Sequence, residues 1–471
     1  MAIAAQIAKN TLVQVVGKAV STLLGLVAIA LITRQLGPDG FGAYTIIITF
    51  LTFFATIADF GLTLVTARLI SQPGVKEKEW LDNLLGFRLL SAAFILALAP
   101  LLALFLNYQP AVKQGIALTA AAFLFLALNQ VIVGFFQKKL TMQYAVIAEI
   151  ASRLVLVAGV GFSFWQHKGL VGILVATIIA NVVNFLGHYF FARRFYWLVP
   201  RFDWRVWRRI IHYSWPLTLT IFFNLIYLKT DTLILSLVRP PRAVGIYGAA
   251  YKVVDVLVAL PFMFSGLILP LLTQAWSQKQ MRQFNSLLQK SFEVLLASSI
   301  PFWLGSILVG QDVMALVAGA EFREAGRVLP VLLLAMVFIF AGNIFAHAIV
   351  AIDKQKKIIG AYIFAALTTL VGYFIFIPRY SYWGAAWMTV YSELIIAFAS
   401  FWFICRYSRF RINFAIIKSI VIASVGLVIS LFLFSGFNIL VRVMTAGLVY
   451  VALVYWSGGI KKQTLISLIK K

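Results

Sequence analysis

The sequence is poor in charge and almost empty of cysteine. Only 12% of its 471 residues are charged, and acids are the scarcer kind, 15 Asp and Glu against 40 Lys and Arg. The single cysteine, Cys405, excludes an internal disulfide framework. No polar stretch is long enough to make a soluble domain, and no HExxH, P-loop or GxSxG signature occurs. No long loop stands between the apolar runs either. Together these absences argue against an enzyme.

What is present is apolar. Hydrophobic residues make up 62% of the chain and the mean hydropathy is +0.96. Weakly charged apolar runs recur from end to end, each long enough to cross a hydrocarbon core of roughly 30 Å. The alternating segments of about ten residues that build a transmembrane β-barrel do not appear. The pattern predicts an all-α polytopic membrane protein with fourteen spans, near 11–33, 41–67, 84–106, 114–136, 144–164, 169–192, 210–238, 244–275, 287–318, 327–352, 358–377, 383–405, 415–435 and 438–458. The first apolar run lacks a small-residue cleavage site and reads as a retained span. Residues 193–209, with Trp197, Trp204 and Trp207, read as an amphipathic surface segment with interfacial anchors.

A formal charge of +25 invites a nucleic-acid reading, but the positions of the charges remove it. With the N-terminus in the cytoplasm, 26 Lys and Arg fall on the cytoplasmic side and nine on the other. By the positive-inside rule both termini are expected inside, beside anionic lipid, and nucleic acid is no partner.

LGPDGFGAY, Leu36–Tyr44, interrupts the apolar pattern and returns in part as VGIYGAAY, Val244–Tyr251. Gly42 and Gly245 are 203 residues apart, as are Arg88 and Ser291. Farther on, Asn129 matches Asn343 at 214, and Gly172–Thr177 matches Gly384–Thr389 at 212. Helices one to six therefore repeat as seven to twelve in parallel orientation, the plan of a transporter with a path between two lobes. The expected division is 1–209 for the first lobe, 210–411 for the second, and 412–471 for two additional helices and a tail. The Gly-rich corner is read as a structural joint, where Pro38 and Gly40 end one helix and small residues admit the next.

Five bases lie inside predicted spans: Lys18, Arg88, Arg153, Lys229 and Lys252. Each costs a few kcal/mol to bury in a bilayer and so faces a cavity or a partner. An anionic group crossing hydrocarbon needs such cations, which makes these five the candidate anion-binding groups. Lys18 shares one helical face with Gln14, Ser21 and Gly25, a polar stripe that lines a path. Arg88 is close enough to a helix start to snorkel instead. Arg153 could be neutralised by Glu149 one turn away. Asp231 shares a face with Thr220, Asn224 and Tyr227, while Lys229 points the other way. Lys252 and Asp255 are spaced as an ion pair. Asp59, Glu149, Asp231, Asp255 and Glu393 are candidate acids for coupling to H⁺ or Na⁺. No motif asks for a cofactor.

LGPDGFGAY after the first helix, YLKTDTLIL in the seventh and IPRYSYWGAAWMTVYSE at the twelfth resemble the Wzx-type O-antigen, capsule and exopolysaccharide flippases. These belong to the MOP superfamily, with the lipid II flippase MurJ and the MATE exporters. The resemblance implies a two-lobed flippase of the bacterial inner membrane. It would move an undecaprenyl-pyrophosphate-linked oligosaccharide outward, next to a polysaccharide polymerase machinery, with helices 13 and 14 shaping a groove for the lipid tail. A MATE-like cation-coupled antiporter of small molecules is the alternative.

Overall fold

The computed structural model describes residues 2–60, 62–71 and 76–459, except the side chains of 2–9, 11–12, 63–65, 68 and 216–228. Lys9, Arg68, Lys461, Lys462, Lys470 and Lys471 of the expected cytoplasmic set, and Thr220, Asn224 and Tyr227 of the seventh helix, therefore lie outside the described side chains. Among the described residues there are helices and turns but no strand. The helices are α1 (Ala2–Ala58), α2 (Leu62–Leu69), α3 (Glu77–Phe105), α4 (Pro110–Lys139), α5 (Met142–Trp165), α6 (Gly169–Ala192), α7 (Trp204–Val238), α8 (Pro241–Ser277), α9 (Met281–Ala318), α10 (Ala325–Ala351), α11 (Gln355–Tyr380), α12 (Tyr382–Ser408), α13 (Ile416–Leu433) and α14 (Ile439–Trp456).

Among the described residues, twelve helices are long and apolar enough to cross a membrane. One of the twelve, in α1, runs 46 residues from Val13 to Ala58. At 1.5 Å per residue this is about 69 Å, twice what one crossing needs. It is divided at Gly37, whose φ of 61° and ψ of −177° break the helix within one residue. A side chain there would be strained, and Pro38 then starts the second limb with its φ already set. The two predicted spans on either side of the Gly-rich corner are the two helical limbs of α1, which meet at this kink. α7 begins at Trp204, so the seventh predicted span absorbs the end of the expected surface segment. Trp197 and Trp204 are exposed as anchors should be, while Trp207 turns inward and donates to the Asn83 carbonyl at 3.1 Å.

The chain forms two compact units, Met1–Gly245 and Ile246–Lys471. In the first, α1 packs along α3, α4, α5, α6 and α7, and α4 and α5 each pack on α6. An apolar cluster around Leu81, Leu84, Ile132, Phe135, Phe136 and Ile210 closes one end of it. In the second, α10 packs between α9 and α12, α11 pairs with α12, and α13 and α14 pair with each other against α9. Tyr450 anchors α14 by donating to the Ala297 carbonyl at 2.9 Å.

The repeat recurs in atomic detail. In the first unit Thr177 bonds back to the Ile173 carbonyl at 2.9 Å and faces Tyr44. In the second, Thr389 bonds back to the Ala385 carbonyl at 3.0 Å, and its hydroxyl lies 3.4 Å from that of Tyr247. The two Gly-rich corners meet directly. A Cβ on Gly42 would stand 1.8 Å from the Pro241 carbonyl oxygen, and one on Gly245 would stand 2.0 Å from that of Pro38. Only glycine permits backbones this close.

Candidate functional site

The best-formed polar site lies in the first unit, between α1 and α5. These helices run parallel and stay in register over most of their length. Asn10 accepts from the Met142 amide at 2.9 Å, and Gln35 donates to the Ser163 carbonyl at 2.9 Å. Between these ends Gly17 packs on Val146, and a Cβ at Gly25 would lie 4.0 Å from a guanidinium nitrogen of Arg153. The Ser21 hydroxyl donates to Glu149 at 2.6 Å. Steps of one turn on α1 thus match steps of one turn on α5, which carries the expected polar stripe onto the charged face of its neighbour.

That register decides what the charges do. Glu149 and Arg153 are one turn apart but form no ion pair within 4 Å among the described residues. Glu149 instead accepts the Ser21 hydroxyl, and half-buried Arg153 stands beside Gly25, where α1 offers no side chain. Tyr44 of the second limb of α1 also lies within electrostatic reach of Arg153. Lys18, one turn before Ser21, is exposed and has no acidic partner among the described residues. Two cations thus flank one hydrogen-bonded carboxylate inside otherwise apolar helices. Such a site can hold an anion on its bases and a proton or small cation on its acid.

Arg88 has a different setting. It is 2% exposed, and its guanidinium meets Asp59 at 2.7 Å, the Ala58 carbonyl at 3.1 Å and the Ala127 carbonyl at 3.0 Å. It closes the carbonyl end of α1, where Phe60 turns to a φ of 46°, and ties that end to α3 and α4. This is a clasp, with Asp59 as its anionic half. On α7, Asp231 is 2% exposed and accepts from the amide and hydroxyl of Thr232 at 2.6 and 3.2 Å, while Lys229 is half-buried. In the second unit Lys252 and Asp255 pair at 3.7 Å on α8, both more than a third exposed. Glu393 is buried on α12, within electrostatic reach of Tyr362.

A second polar cluster of the first unit has no counterpart in the sequence reading. Asp82, at the start of α3, is fully buried. It takes Lys78 at 2.9 Å and the Val199 amide at 3.0 Å, with Arg201 at 3.7 Å. Its own carbonyl accepts from the Arg201 amide at 2.9 Å, and Asn83 accepts from the Asp203 amide at 2.9 Å. The segment between α6 and α7 is thereby strapped onto α3. The only signal in sequence is an Asp-Asn pair just ahead of an apolar run.

Comparison with known proteins gives consistent relatives. Residues 7–276 match the family described as "Polysaccharide biosynthesis protein", and residues 216–375 match that described as "MatE". The chain is 22% identical to a probable low-salt glycan biosynthesis flippase, Agl15, of Haloferax volcanii, over 78% of this chain and 77% of that one. It is 24% identical to a putative O-antigen transporter of Shigella flexneri, over 74% and 86% of the two chains. Among solved structures, the lipid II flippase MurJ in an inward closed conformation superposes with a TM-score of 0.77 at 16% identity, covering 93% of this chain and 97% of that one. An inward-facing MATE multidrug-resistance transporter of the MOP superfamily gives 0.65 at 16% identity, covering 83% and 94%. The last two likenesses concern the fold.

Proposed function

The chain belongs to the polysaccharide biosynthesis protein family, the Wzx-type flippases of the MOP superfamily, and from that premise we propose that its cargo is a polyprenyl-pyrophosphate-linked oligosaccharide, moved outward across a bacterial inner membrane by alternating access. The observation that carries this reading is the pair Lys18 and Arg153, bases within apolar helices that no acid neutralises among the described residues. An uncompensated base at mid-membrane costs about 2.5–3.5 kcal/mol on insertion scales, and an arriving pyrophosphate offsets that cost. Lys18 and Arg153 grip the diphosphate, and Glu149, held by Ser21, is the acid that exchanges H⁺ or Na⁺. Lys229, Asp231, Lys252, Asp255 and Glu393 remain candidates for later contacts along the path. Arg88 and Asp59, spent on each other, hold the frame.

Both termini are placed in the cytoplasm by the 26-to-nine bias of basic residues. The lobes are taken as 1–209 and 210–411, with 412–471 appended, and a polysaccharide polymerase machinery is the expected neighbour. A second reading, a small-molecule antiporter, is favoured by the match of residues 216–375 to MatE.

The test is deletion of the gene followed by detection of lipid-linked glycan with a sugar-specific probe that cannot cross the inner membrane. Glycan retained inside, and restored to the outer face by wild type but not by Lys18→Ala or Arg153→Ala, supports the proposal. Normal outer-face glycan with raised sensitivity to drugs would leave the antiporter.

A further inference from the structure

In the second unit α11 and α12 form a hairpin turned at Ser381, which has a φ of 56°. α12 comes so close to α11 that a Cβ on Gly384 would lie 2.4 Å from the Phe376 carbonyl oxygen. The large side chains on either side of that contact cannot fill the seam. Phe376 and Tyr380, one turn apart on α11, and Trp383 and Trp387, one turn apart on α12, stand around a cavity of about 450 Å³ floored by Gly384 and Met388. Tyr380 is 59% and Trp387 53% exposed, so these rings line an opening.

The walls are mostly apolar, with the Tyr380 hydroxyl and the Trp383 and Trp387 indole N–H groups as the side-chain polar atoms. A glycan seat would need convergent donors and acceptors, so the shape suits an apolar chain. A base adjoins this lining in sequence. Arg379 sits between Phe376 and Tyr380 in the last turn of α11, exposed and with no acid within 4 Å among the described residues. The neighbouring acid Glu324 already accepts the Tyr382 hydroxyl at 2.7 Å. A cation one residue from an apolar slot matches a lipid with a phosphate head. Cargo is disfavoured as the occupant because α11 and α12 carry no other base between Lys357 and Arg406. A phosphate could rest at Arg379 but could not travel along this hairpin.

We propose that the slot between α11 and α12 seats one acyl chain of an anionic phospholipid, with its phosphate on Arg379. With the termini inside, the slot opens in the outer leaflet; only that placement rests on the orientation proposed above. The site is independent of the Lys18–Arg153 pair and of what the protein transports.

The experiment places the full-length protein in phosphatidylcholine vesicles and titrates in brominated-chain phosphatidylglycerol or brominated-chain phosphatidylcholine. Tryptophan quenching is read in wild type, Arg379→Gln, Arg379→Lys and a Trp383→Phe/Trp387→Phe double variant. The expected result is about a five-fold preference for phosphatidylglycerol in the quenching assigned to these two tryptophans, the size one base beside an anionic headgroup confers. Arg379→Gln should abolish the preference and Arg379→Lys should keep it. Equal quenching by both lipids would overturn the proposal, as would a preference that survives the double Trp variant. So would displacement of the brominated lipid by polyprenyl phosphate at a lower mole fraction than by phosphatidylglycerol, which would assign the slot to the cargo tail.

Discussion

The two units share a scaffold but not a charge pattern. Tyr44 faces Thr177 in the first and Tyr247 faces Thr389 in the second, and each threonine bonds back to the carbonyl one turn earlier. Beyond that frame they diverge. α5 carries Glu149 and Arg153, whereas α11, its counterpart in the repeat, has no charged residue between Lys357 and Arg379. Arg88 closes a buried clasp, and Ser291 at the matching position has a buried hydroxyl with no hydrogen-bond partner among the described residues. What the repeat preserves is packing, and what it lets go is chemistry. The cationic site belongs to the first unit.

Breaking the clasp gives the sharpest test of that asymmetry. Asp59→Asn or Arg88→Leu should cost about 3–5 kcal/mol of stability, because a buried charge is left alone. A large drop in detergent melting temperature and in folded yield is the expected readout, whereas Ser291→Ala should leave both unchanged. Replacing Arg88 and Asp59 together by leucine should recover much of the loss. Arg153→Gln, by contrast, should fold normally and lower outer-face glycan about ten-fold, the loss of one charge-assisted contact of roughly 1.5 kcal/mol to the cargo. A variant that misfolds instead would make Arg153 a second clasp. Ser21→Ala should cost about 1–2 kcal/mol by thermal melt, by taking the donor from Glu149. Least affected should be Lys252→Gln in the second unit, at about 0–1 kcal/mol by thermal melt, since the pair it breaks is open to solvent.

Much of this organisation is legible in the sequence. Lys18, Ser21 and Gly25 fall on one face by turn spacing alone, and that stripe is the one α5 receives. Helix number and membrane class follow from apolar runs that no soluble fold could bury. The partners were not legible. Glu149 looks locally matched to Arg153, and only the α1–α5 register, a long-range property, gives it to Ser21. Arg88 finds Asp59 across an intervening turn that no periodicity announces. The corner, in contrast, was legible: the two helix ends read there belong to the two limbs of α1 that meet at Gly37. Asp82 and Asn83 sit in a stretch too polar to score as a span and too short to read as a domain.

One contact joins the two copies of the repeated motif. Gly42 touches Pro241 and Gly245, and Gly245 touches Pro38 and Gly42, so the two copies of one motif meet reciprocally. That is the signature of an isologous interface, the kind that joins identical subunits about a two-fold axis. Next to it Asp39 faces Arg242 at 3.5 Å, and these two occupy the same position in their respective copies. Two identical chains would have set like charges against each other there. Here the two copies carry opposite signs, so the patch where they meet is a matched pair.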